Sequence, residues 1–384
     1  MIRSTAFIHP VNEVAAARAR RWLLLAVSAV AISGLFAILI ALARVPALGT
    51  LFPGTEFYRT ALVLHVNLSQ GVWFMAFAAV LWSLVAVRES ERIDRAAWLL
   101  AVLGVSGITL SVLSGKAPPI MSNYLPVLDN ALFLGGLSLL GLGIMLKAIS
   151  AWVGVPFWSP EGGLASLQST LLRLAAAETL AVFVLLALTW WQMTGQTGYL
   201  FFETLFWGAG HLWQFTLAGL LMCCWLMLAP KAAGRIAPGF LRLLVGVSLL
   251  PVVAGLAVPL LHAPDETAHT YLYTWLMQWM SWQAPLLLGC MVALLAPRGG
   301  LAPGYGLSLL LFVAGLLLGA LINGQTTLIT AHYHGTIGAV TLAFMAVSYR
   351  LLPALGVSIP ETRFVRLQLA CYGYGILLMM GGLA

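Results

Sequence analysis

Eleven long apolar segments, separated by short loops, are the feature that most constrains how this chain can fold. Their approximate bounds are 22–44, 57–86, 96–116, 125–149, 166–191, 203–229, 240–261, 270–296, 304–323, 329–350 and 364–384. A run of about 20 apolar residues is long enough to cross the hydrocarbon core of a bilayer as an α-helix. An α-helix also pairs its backbone N–H and C=O groups within the segment, as hydrocarbon requires. The pattern predicts an all-α polytopic membrane protein with about eleven transmembrane helices.

The composition agrees with a membrane protein and argues against a soluble domain. Hydrophobic residues make up 61% of the 384-residue chain, and charged residues only 8%. With no linker or low-complexity stretch apparent, the sequence predicts a cytoplasmic N-terminal segment, 1–21, and a single transmembrane domain, 22–384. The four cysteines form no C-x-x-C pattern, which disfavours thiolate metal sites, redox dithiols and covalently attached haem.

The positively charged residues indicate the orientation in the membrane. Cytoplasmic loops of membrane proteins carry an excess of lysine and arginine. With the N-terminus in the cytoplasm, only Arg44, Arg59 and Lys116 of the 19 Lys and Arg residues fall on the outer side. The net charge of +7 then reflects cytoplasmic Lys and Arg residues that face anionic lipid headgroups. No nucleic-acid partner is expected. We expect an integral protein of the cytoplasmic (inner) membrane.

Histidines mark the predicted functional layer. On this topology six of the seven histidines lie towards the outer face, namely His65, His211, His262, His269, His332 and His334. Polar side chains are costly inside hydrocarbon, and imidazoles from several helices are suitable ligands for haem iron and copper. His332 and His334 are two residues apart, so on one helix they point about 200° apart, towards different neighbours. Hydration of this pair at the membrane surface is the alternative interpretation.

Three segments resemble the catalytic subunit of the haem–copper oxidase superfamily, which includes cytochrome oxidases and nitric oxide reductases. The tenth segment, ITAHYHGTIGAVTLAFMAVSYRLLP, is similar to the family's H-x-H helix. The second, LVLHVNLSQGVWFMAF, resembles the helix that supplies a low-spin haem ligand. The sixth, FWGAGHLWQFTLAGLLMCCWLMLAPKAAGR, resembles the helix that supplies a copper or non-haem metal ligand. The resemblance implies a subunit I-like helical bundle with two haems and a second metal, either copper or non-haem iron.

The resemblance also implies a role for each of these histidines. His65 and His334 would bind a low-spin haem from both faces, which leaves no open coordination position and restricts that haem to electron transfer. His332 would bind a high-spin haem on one face, and His211 would help to hold a second metal opposite the open face. His262 would be a further ligand of this metal, as would His269 if the outer loop folds back.

The departures from the family concern mainly the second metal. Leu261 stands where the family has a second adjacent histidine. Phe215 stands where the oxidases usually have tyrosine and the nitric oxide reductases have glutamate. The eighth segment has no lysine for the family's usual proton path, and no twelfth segment follows the eleventh. We therefore expect a weak or altered second-metal site.

Glu178, midway along the fifth segment, either relays protons or is hydrogen bonded to a neighbouring helix.

The sequence predicts a terminal oxidase-like respiratory oxidoreductase in which electrons pass from the low-spin to the high-spin haem and reduce dioxygen. A nitric oxide reductase-like enzyme is one alternative. A haem-carrying electron-transfer subunit with a degenerate second-metal site is another. A transporter with a histidine-lined cavity would need neither the H-x-H pair nor the one-sided layer. Without a covalent haem motif, the chain is expected to work with other membrane subunits and with a periplasmic cytochrome c or a quinol as electron donor.

Overall fold

The protein is described by a computed structural model that covers residues 9–48, 51–52, 54–114, 117–157, 163–193, 195–324 and 326–384. The helices are α1 (Glu13–Ala43), α2 (Gly54–Val66), α3 (Trp73–Val85), α4 (Glu91–Leu110), α5 (Ala131–Gly154), α6 (Gly163–Gln192), α7 (Gly198–Leu228), α8 (Pro230–Ala233), α9 (Pro238–Leu261), α10 (Thr267–Met280), α11 (Gln283–Leu295), α12 (Tyr305–Ala320), α13 (Thr327–Leu351) and α14 (Thr362–Leu383). A π-helical segment, Asn67–Val72, joins α2 to α3. Short 3-10 turns, Ser111–Leu113 and Leu352–Leu355, follow α4 and α13. An antiparallel pair of two-residue strands, β1 (Pro119–Ile120) and β2 (Val127–Leu128), lies in the α4–α5 connection.

Nine helices among the described residues are long and apolar enough to cross a membrane, which confirms the prediction of a helical membrane protein. Two of the eleven predicted segments take other forms. The ninth is the 16-residue α12. The eighth, predicted as one helix over 270–296, is wrong as a continuous element, because α10 ends at Met280 and α11 begins at Gln283. Pro285 explains the break, since it has no N–H to donate to the carbonyl of Ser281 and its ring clashes with that carbonyl.

Two predicted starts are also displaced, because polar caps set the helix ends. α1 begins at Glu13, nine residues before the predicted start, and the Asn12 side chain accepts a hydrogen bond from the Ala15 N–H (2.8 Å). The fourth predicted segment, 125–149, includes the β2 strand, and α5 begins only after Asn130. A side-chain acceptor at this position satisfies one of the N–H groups that the first helical turn leaves unpaired.

The centre of the bundle is formed by α3, α7 and α13. Nearly every side chain of α3 and of the second half of α7 is buried, including the large Trp73, Trp82 and Trp225. Closely packed pairs surround this centre, with α4 against α5, α6 against α7, and α12 against α13. Glycines allow the closest approaches. A Cβ at Gly136 of α5, for example, would collide with the backbone of α4.

A buried ionic network ties α1, α4 and α5 together near one end of the bundle. Its ion pairs are Arg18–Glu89, Arg21–Glu91, Arg21–Asp94, Lys147–Glu89 and Lys147–Asp94, and the two pairs of Lys147 have N–O distances of 2.6 Å. The side chains of Lys147, Glu89 and Asp94 are completely buried. Arg18, Arg21 and Lys147, which the sequence analysis counts among the cytoplasmic positive charges, are also structural partners of carboxylates.

Candidate functional site

His65 and His334 are brought together by helices that are distant in sequence. His65 lies in the last turn of α2, and His334 lies in the second turn of α13. The two imidazoles are close enough to interact electrostatically. Both side chains are only partly buried although they lie within apolar helices. In the described part of the chain, α2 and α13 are not among the closely packed helix pairs. The two imidazoles are therefore near each other although their helices are not closely packed.

Both imidazoles are oriented through the same ring nitrogen. His334 Nδ1 donates to the Thr330 carbonyl one turn earlier (2.8 Å). His65 Nδ1 donates to the carbonyl of Ser33 on α1 (3.1 Å), and the Ser33 hydroxyl donates to the His65 carbonyl (3.0 Å). Because a carbonyl oxygen can only accept a hydrogen bond, Nδ1 carries the proton and Nε2 keeps its lone pair. Metal-binding histidines are commonly held in this way, with Nε2 free to coordinate.

The π-helical segment Asn67–Val72 begins two residues after His65. Asn67 is buried, and its side-chain amide donates to the carbonyl of Pro126 in the α4–α5 connection (2.7 Å). The Ser69 hydroxyl donates to the His65 carbonyl (2.6 Å). Asn and Ser favour such side-chain contacts over regular helix, and π-helical turns are frequent at functional sites. These bonds fix the rotation of His65 relative to α3.

His332 faces a different neighbour. Its Nδ1 donates to the carbonyl of Gly315 on α12 (2.7 Å). Gly319, one turn further along α12, lies directly against the imidazole, since a Cβ there would stand 2.6 Å from Nδ1. His332 and His334 therefore interact with different helices, α12 and α2, as their spacing on a helix predicts. The Nε2 atom of His332 keeps its lone pair for the same reason as in the His65–His334 pair.

Aromatic side chains fill the space between α3 and α13. Phe344 stacks on Phe77 with ring centroids 4.1 Å apart, and it meets Phe74 edge to face at 5.8 Å. Trp73 lies 6.0 Å from Phe344. All four side chains are buried. They form a closely packed apolar layer between the two helices.

His211 belongs to a second histidine group, centred on Tyr273. It is buried in α7, and its Nδ1 donates to the Trp207 carbonyl one turn earlier (2.7 Å). Its ring centroid lies 4.8 Å from that of Tyr124 and 6.3 Å from that of Tyr273. His269 of α10 meets Tyr273 edge to face at 5.0 Å. His211 and His269 thus share one tyrosine as a neighbour.

A helix defect explains the position of Tyr273. Pro259, within α9, has no N–H, so the carbonyl of Gly255 four residues earlier loses its usual partner in the helix. The Tyr273 hydroxyl donates to this carbonyl (2.7 Å). Gly208 of α7 also packs against this ring, since a Cβ added there would stand 2.7 Å from the Tyr273 ring. Three helices, α7, α9 and α10, therefore meet at Tyr273, which is completely buried.

The residues expected to bind the second metal are only partly assembled. His269 is buried, and its Nε2 has no hydrogen-bond partner among the described residues. His262 is partly exposed, with Nδ1 2.9 Å from Glu266 Oε2. The neighbouring Leu261 is 73% exposed, so it does not occupy the inward ligand position suggested by the resemblance. Within the described residues, no three His, Cys, Asp or Glu side chains form a group that could hold a metal ion.

The His262–Glu266 pair is held at the surface by the loop itself. Glu266 accepts a hydrogen bond from the Ala263 N–H (3.0 Å). This bond, together with the bond to His262, lowers the pKa of the exposed Glu266 carboxyl. The carboxylate is therefore ionised at neutral pH, and it holds His262 within its own loop rather than beside His211.

The α4–α5 connection reaches both histidine groups. Its Pro126 carbonyl accepts the bond from Asn67 near His65. Its Tyr124 packs on His211. The Tyr124 ring also occupies the space that a Cβ at Gly210 would need. Burial, with a further contribution from the negative charge of Glu203, raises the pKa of Tyr124, so its phenol is a neutral hydroxyl at physiological pH.

The structure thus places His65 near His334, and it places His211 and His269 around the same tyrosine, Tyr273. It shows no contact between His332 and His211 in the described part of the chain. Sequence analysis missed the residues that orient these histidines, namely Ser33, Asn67, Tyr124, Tyr273, Gly315 and Gly319. A serine or glycine in an apolar segment carries no distinctive signal. Pro259 does carry one, because a proline inside a helix requires another donor for the carbonyl four residues earlier.

Comparison with known proteins places the chain in a family. No protein-family model matches it. An uncharacterised protein of Aquifex aeolicus (strain VF5) is 31% identical over 343 residues, which cover 87% of this chain and 84% of that protein. The chain belongs to the family of this Aquifex protein. An uncharacterised protein of Rickettsia prowazekii (strain Madrid E) is similar at 24% identity over 423 residues, covering 90% of this chain and 80% of that protein. The similarity thus extends along most of the chain.

Proposed function

We propose that this protein is a haem-binding membrane oxidoreductase subunit of respiratory type. In this proposal His65 and His334 hold one haem between α2 and α13. The observation that supports it most directly is the pair itself. Two imidazoles on separate helices interact with each other, and each has its Nδ1 proton bound to a carbonyl. A haem with two imidazole ligands supplies one-electron transfer and has no open coordination position.

The residues of the chain would orient this haem. The carbonyls of Ser33 and Thr330 keep the Nε2 lone pairs available for coordination. The bonds made by Asn67 and Ser69 hold the π-helical turn, so the His65 ring does not need to reorganise when it binds.

We extend the proposal to His332 as the ligand of a second haem, with His211 on the side of a second metal and dioxygen as the substrate. His332 supports this assignment because it points away from the His65–His334 pair and is held by the Gly315 carbonyl. A haem bound on one face only has an open position for a small gas, and nitric oxide is the alternative substrate. Copper or non-haem iron would be the second metal.

The second candidate function is electron transfer without gas reduction. The incomplete metal group favours it, since the described residues contain no group of three donor side chains and Leu261 faces outwards. Copper in such a site prefers several imidazoles, and His211 and His269 supply only two around Tyr273. We derive no chemical step through a second metal from this arrangement.

The test is spectroscopy and metal analysis of the purified protein. We expect iron but less than one copper per chain, and a low-spin haem signal in optical and EPR spectra. His65→Ala and His334→Ala should each abolish that signal, because one imidazole cannot keep the haem six-coordinate. Ser348→Ala, on the same helix and at the far end, is the matched control. A normal low-spin spectrum in both histidine variants, or the absence of haem from the folded wild-type protein, would overturn the proposal.

A further inference from the structure

A groove of about 500 Å³ lies on the outer surface of the α4–α5 pair, separate from both histidine groups. It is lined by two arginines, Arg88 and Arg92, by two serines and by apolar side chains that include Ile93, Ala96, Ile149 and Val153. Its apolar side chains are open to the surroundings, with Ile93 46%, Ile149 44% and Val153 66% exposed. Two arginines and two serines therefore lie beside an apolar wall formed by two helices that are long enough to cross a membrane.

The two arginines carry positive charge that no carboxylate in the described part of the chain neutralises. The three carboxylates nearby, Glu89, Glu91 and Asp94, form the buried ionic network with Arg18, Arg21 and Lys147. Neither Arg88 nor Arg92 forms a salt bridge in the described part of the chain, and both are exposed. The network thus uses the available anions and leaves the groove with a net positive end.

The backbone around the groove is fixed. The Val87 N–H donates to the Gly154 carbonyl at the end of α5 (3.0 Å). Gly154 also lets the Arg88 carbonyl pack against α5, where a Cβ would collide with it. The Ser150 hydroxyl is held by the Glu89 carboxylate (3.1 Å). The groove is therefore preorganised, which lowers the entropic cost of binding a ligand there.

We propose that this groove binds an anionic phospholipid, with the phosphate group at Arg88 and Arg92 and an acyl chain along Ile93, Ile149 and Val153. Arginine forms strong paired hydrogen bonds with phosphate oxygens. A free phosphate ion would leave the apolar wall unused, and a zwitterionic lipid would place its own cationic group near the two arginines. The charge pattern and the membrane-facing wall together select a lipid with a net negative headgroup.

The experiment is native mass spectrometry of the delipidated full-length protein, titrated with phosphatidylglycerol or with phosphatidylcholine. We expect phosphatidylglycerol to bind with one tight site and phosphatidylcholine to bind much more weakly. Arg88→Gln with Arg92→Gln should weaken the tight site about 30-fold, the effect of two arginines near a lipid surface. Ala96→Phe, which fills the groove and keeps both charges, should remove tight binding as well.

The matched control is Arg20→Gln with Arg242→Gln, which removes two exposed arginines outside the groove and should leave tight binding unchanged. Size-exclusion chromatography and circular dichroism would show that each variant is folded. Equal binding of the two lipids, tight binding that survives in Ala96→Phe, competition by inorganic phosphate, or a copurified protein that blocks lipid uptake at this groove would each overturn the proposal.

Discussion

His65, His211, His332 and His334 each donate Nδ1–H to a main-chain carbonyl, over distances between 2.7 and 3.1 Å. Burying a polar ring in an apolar bundle is costly unless its donor is satisfied, and these carbonyls meet that requirement for one nitrogen of each ring. The same bonds leave the second nitrogen as an acceptor or metal ligand. The histidines are therefore compatible with the membrane before any cofactor binds, and they remain able to bind one.

At His332 we predict that the reduced protein binds carbon monoxide through a haem on this residue. The imidazole faces α12, and in the described part of the chain no second imidazole contacts it. Wild-type protein should therefore show a carbon monoxide-induced spectral change. His332→Ala should lose at least most of this change while the low-spin signal of the His65–His334 haem remains. A fully reduced wild-type protein without any response to carbon monoxide would favour the electron-transfer candidate.

At Lys147 we predict a large loss of stability on substitution. Lys147→Met leaves Glu89 and Asp94 buried with one fewer positive partner. Removing one member of a buried ion pair typically costs about 3–5 kcal/mol. Thermal unfolding in detergent would measure the effect. Lys231→Met is the control, because Lys231 is exposed. If both variants unfold at the wild-type temperature, Lys147 is not needed for the fold.

At the scale of the helices, two irregular turns occur near the histidine groups. The π-helical segment follows His65, and Pro259 interrupts the hydrogen bonding of α9 near Tyr273. Each irregularity frees a carbonyl or changes the rotation of the next turn. At α9 the freed carbonyl of Gly255 accepts a hydrogen bond from Tyr273, so the defect positions a side chain between His211 and His269.

For α12 we predict that Gly319→Ala disturbs His332. A Cβ at Gly319 would stand 2.6 Å from His332 Nδ1, so the ring must move away from the Gly315 carbonyl. Overpacking of this kind costs about 1–3 kcal/mol. We expect the carbon monoxide response of the His332 haem to change while the low-spin signal is kept.

Gly306→Ala is a control in the same helix, because a Cβ there meets nothing within 4 Å. Both substitutions replace glycine by the better helix former, so the intrinsic helix preference acts equally on the two variants. Identical spectra and stability for both would show that His332 does not depend on its contact with α12.

On the scale of the whole molecule, the α4–α5 connection reaches both histidine groups through Pro126 and Tyr124. The proposed function requires an electron donor, which we expect to be another protein or a quinol. Outer helices such as α14 expose large apolar side chains, including Leu367, Tyr374 and Leu378. Such faces suit contact with lipid or with the helices of a partner subunit.

For the whole molecule we predict copurification with at least one further membrane subunit that carries or binds the electron donor. Native mass measurement after mild solubilisation would detect it. Reduced cytochrome c and a quinol, each offered in turn, would identify the type of donor. The isolated polypeptide should turn over at least tenfold more slowly than the complex. Rapid turnover by a monomer of this chain alone, with either donor, would rule the prediction out.

The sequence by itself determined the structural class and the residues of interest. Long apolar segments leave the backbone only one way to satisfy its hydrogen bonds in a bilayer, so helices follow from composition and length. Helix geometry likewise makes His332 and His334, two residues apart, point towards different neighbours. Both conclusions depend on local periodicity alone. The haem and metal assignments stay predictions.

Tertiary structure decided which groups meet. Nothing near Lys147 in the sequence indicates that Glu89 and Asp94 neutralise it, or that Ser33 orients His65. Nor does the histidine pattern show that His262 pairs with Glu266 in its own loop while His269 packs on Tyr273. Such pairings depend on the relative rotation and depth of separate helices. Side-chain packing and single prolines and glycines set that rotation and depth, and the periodicity of one segment does not encode them.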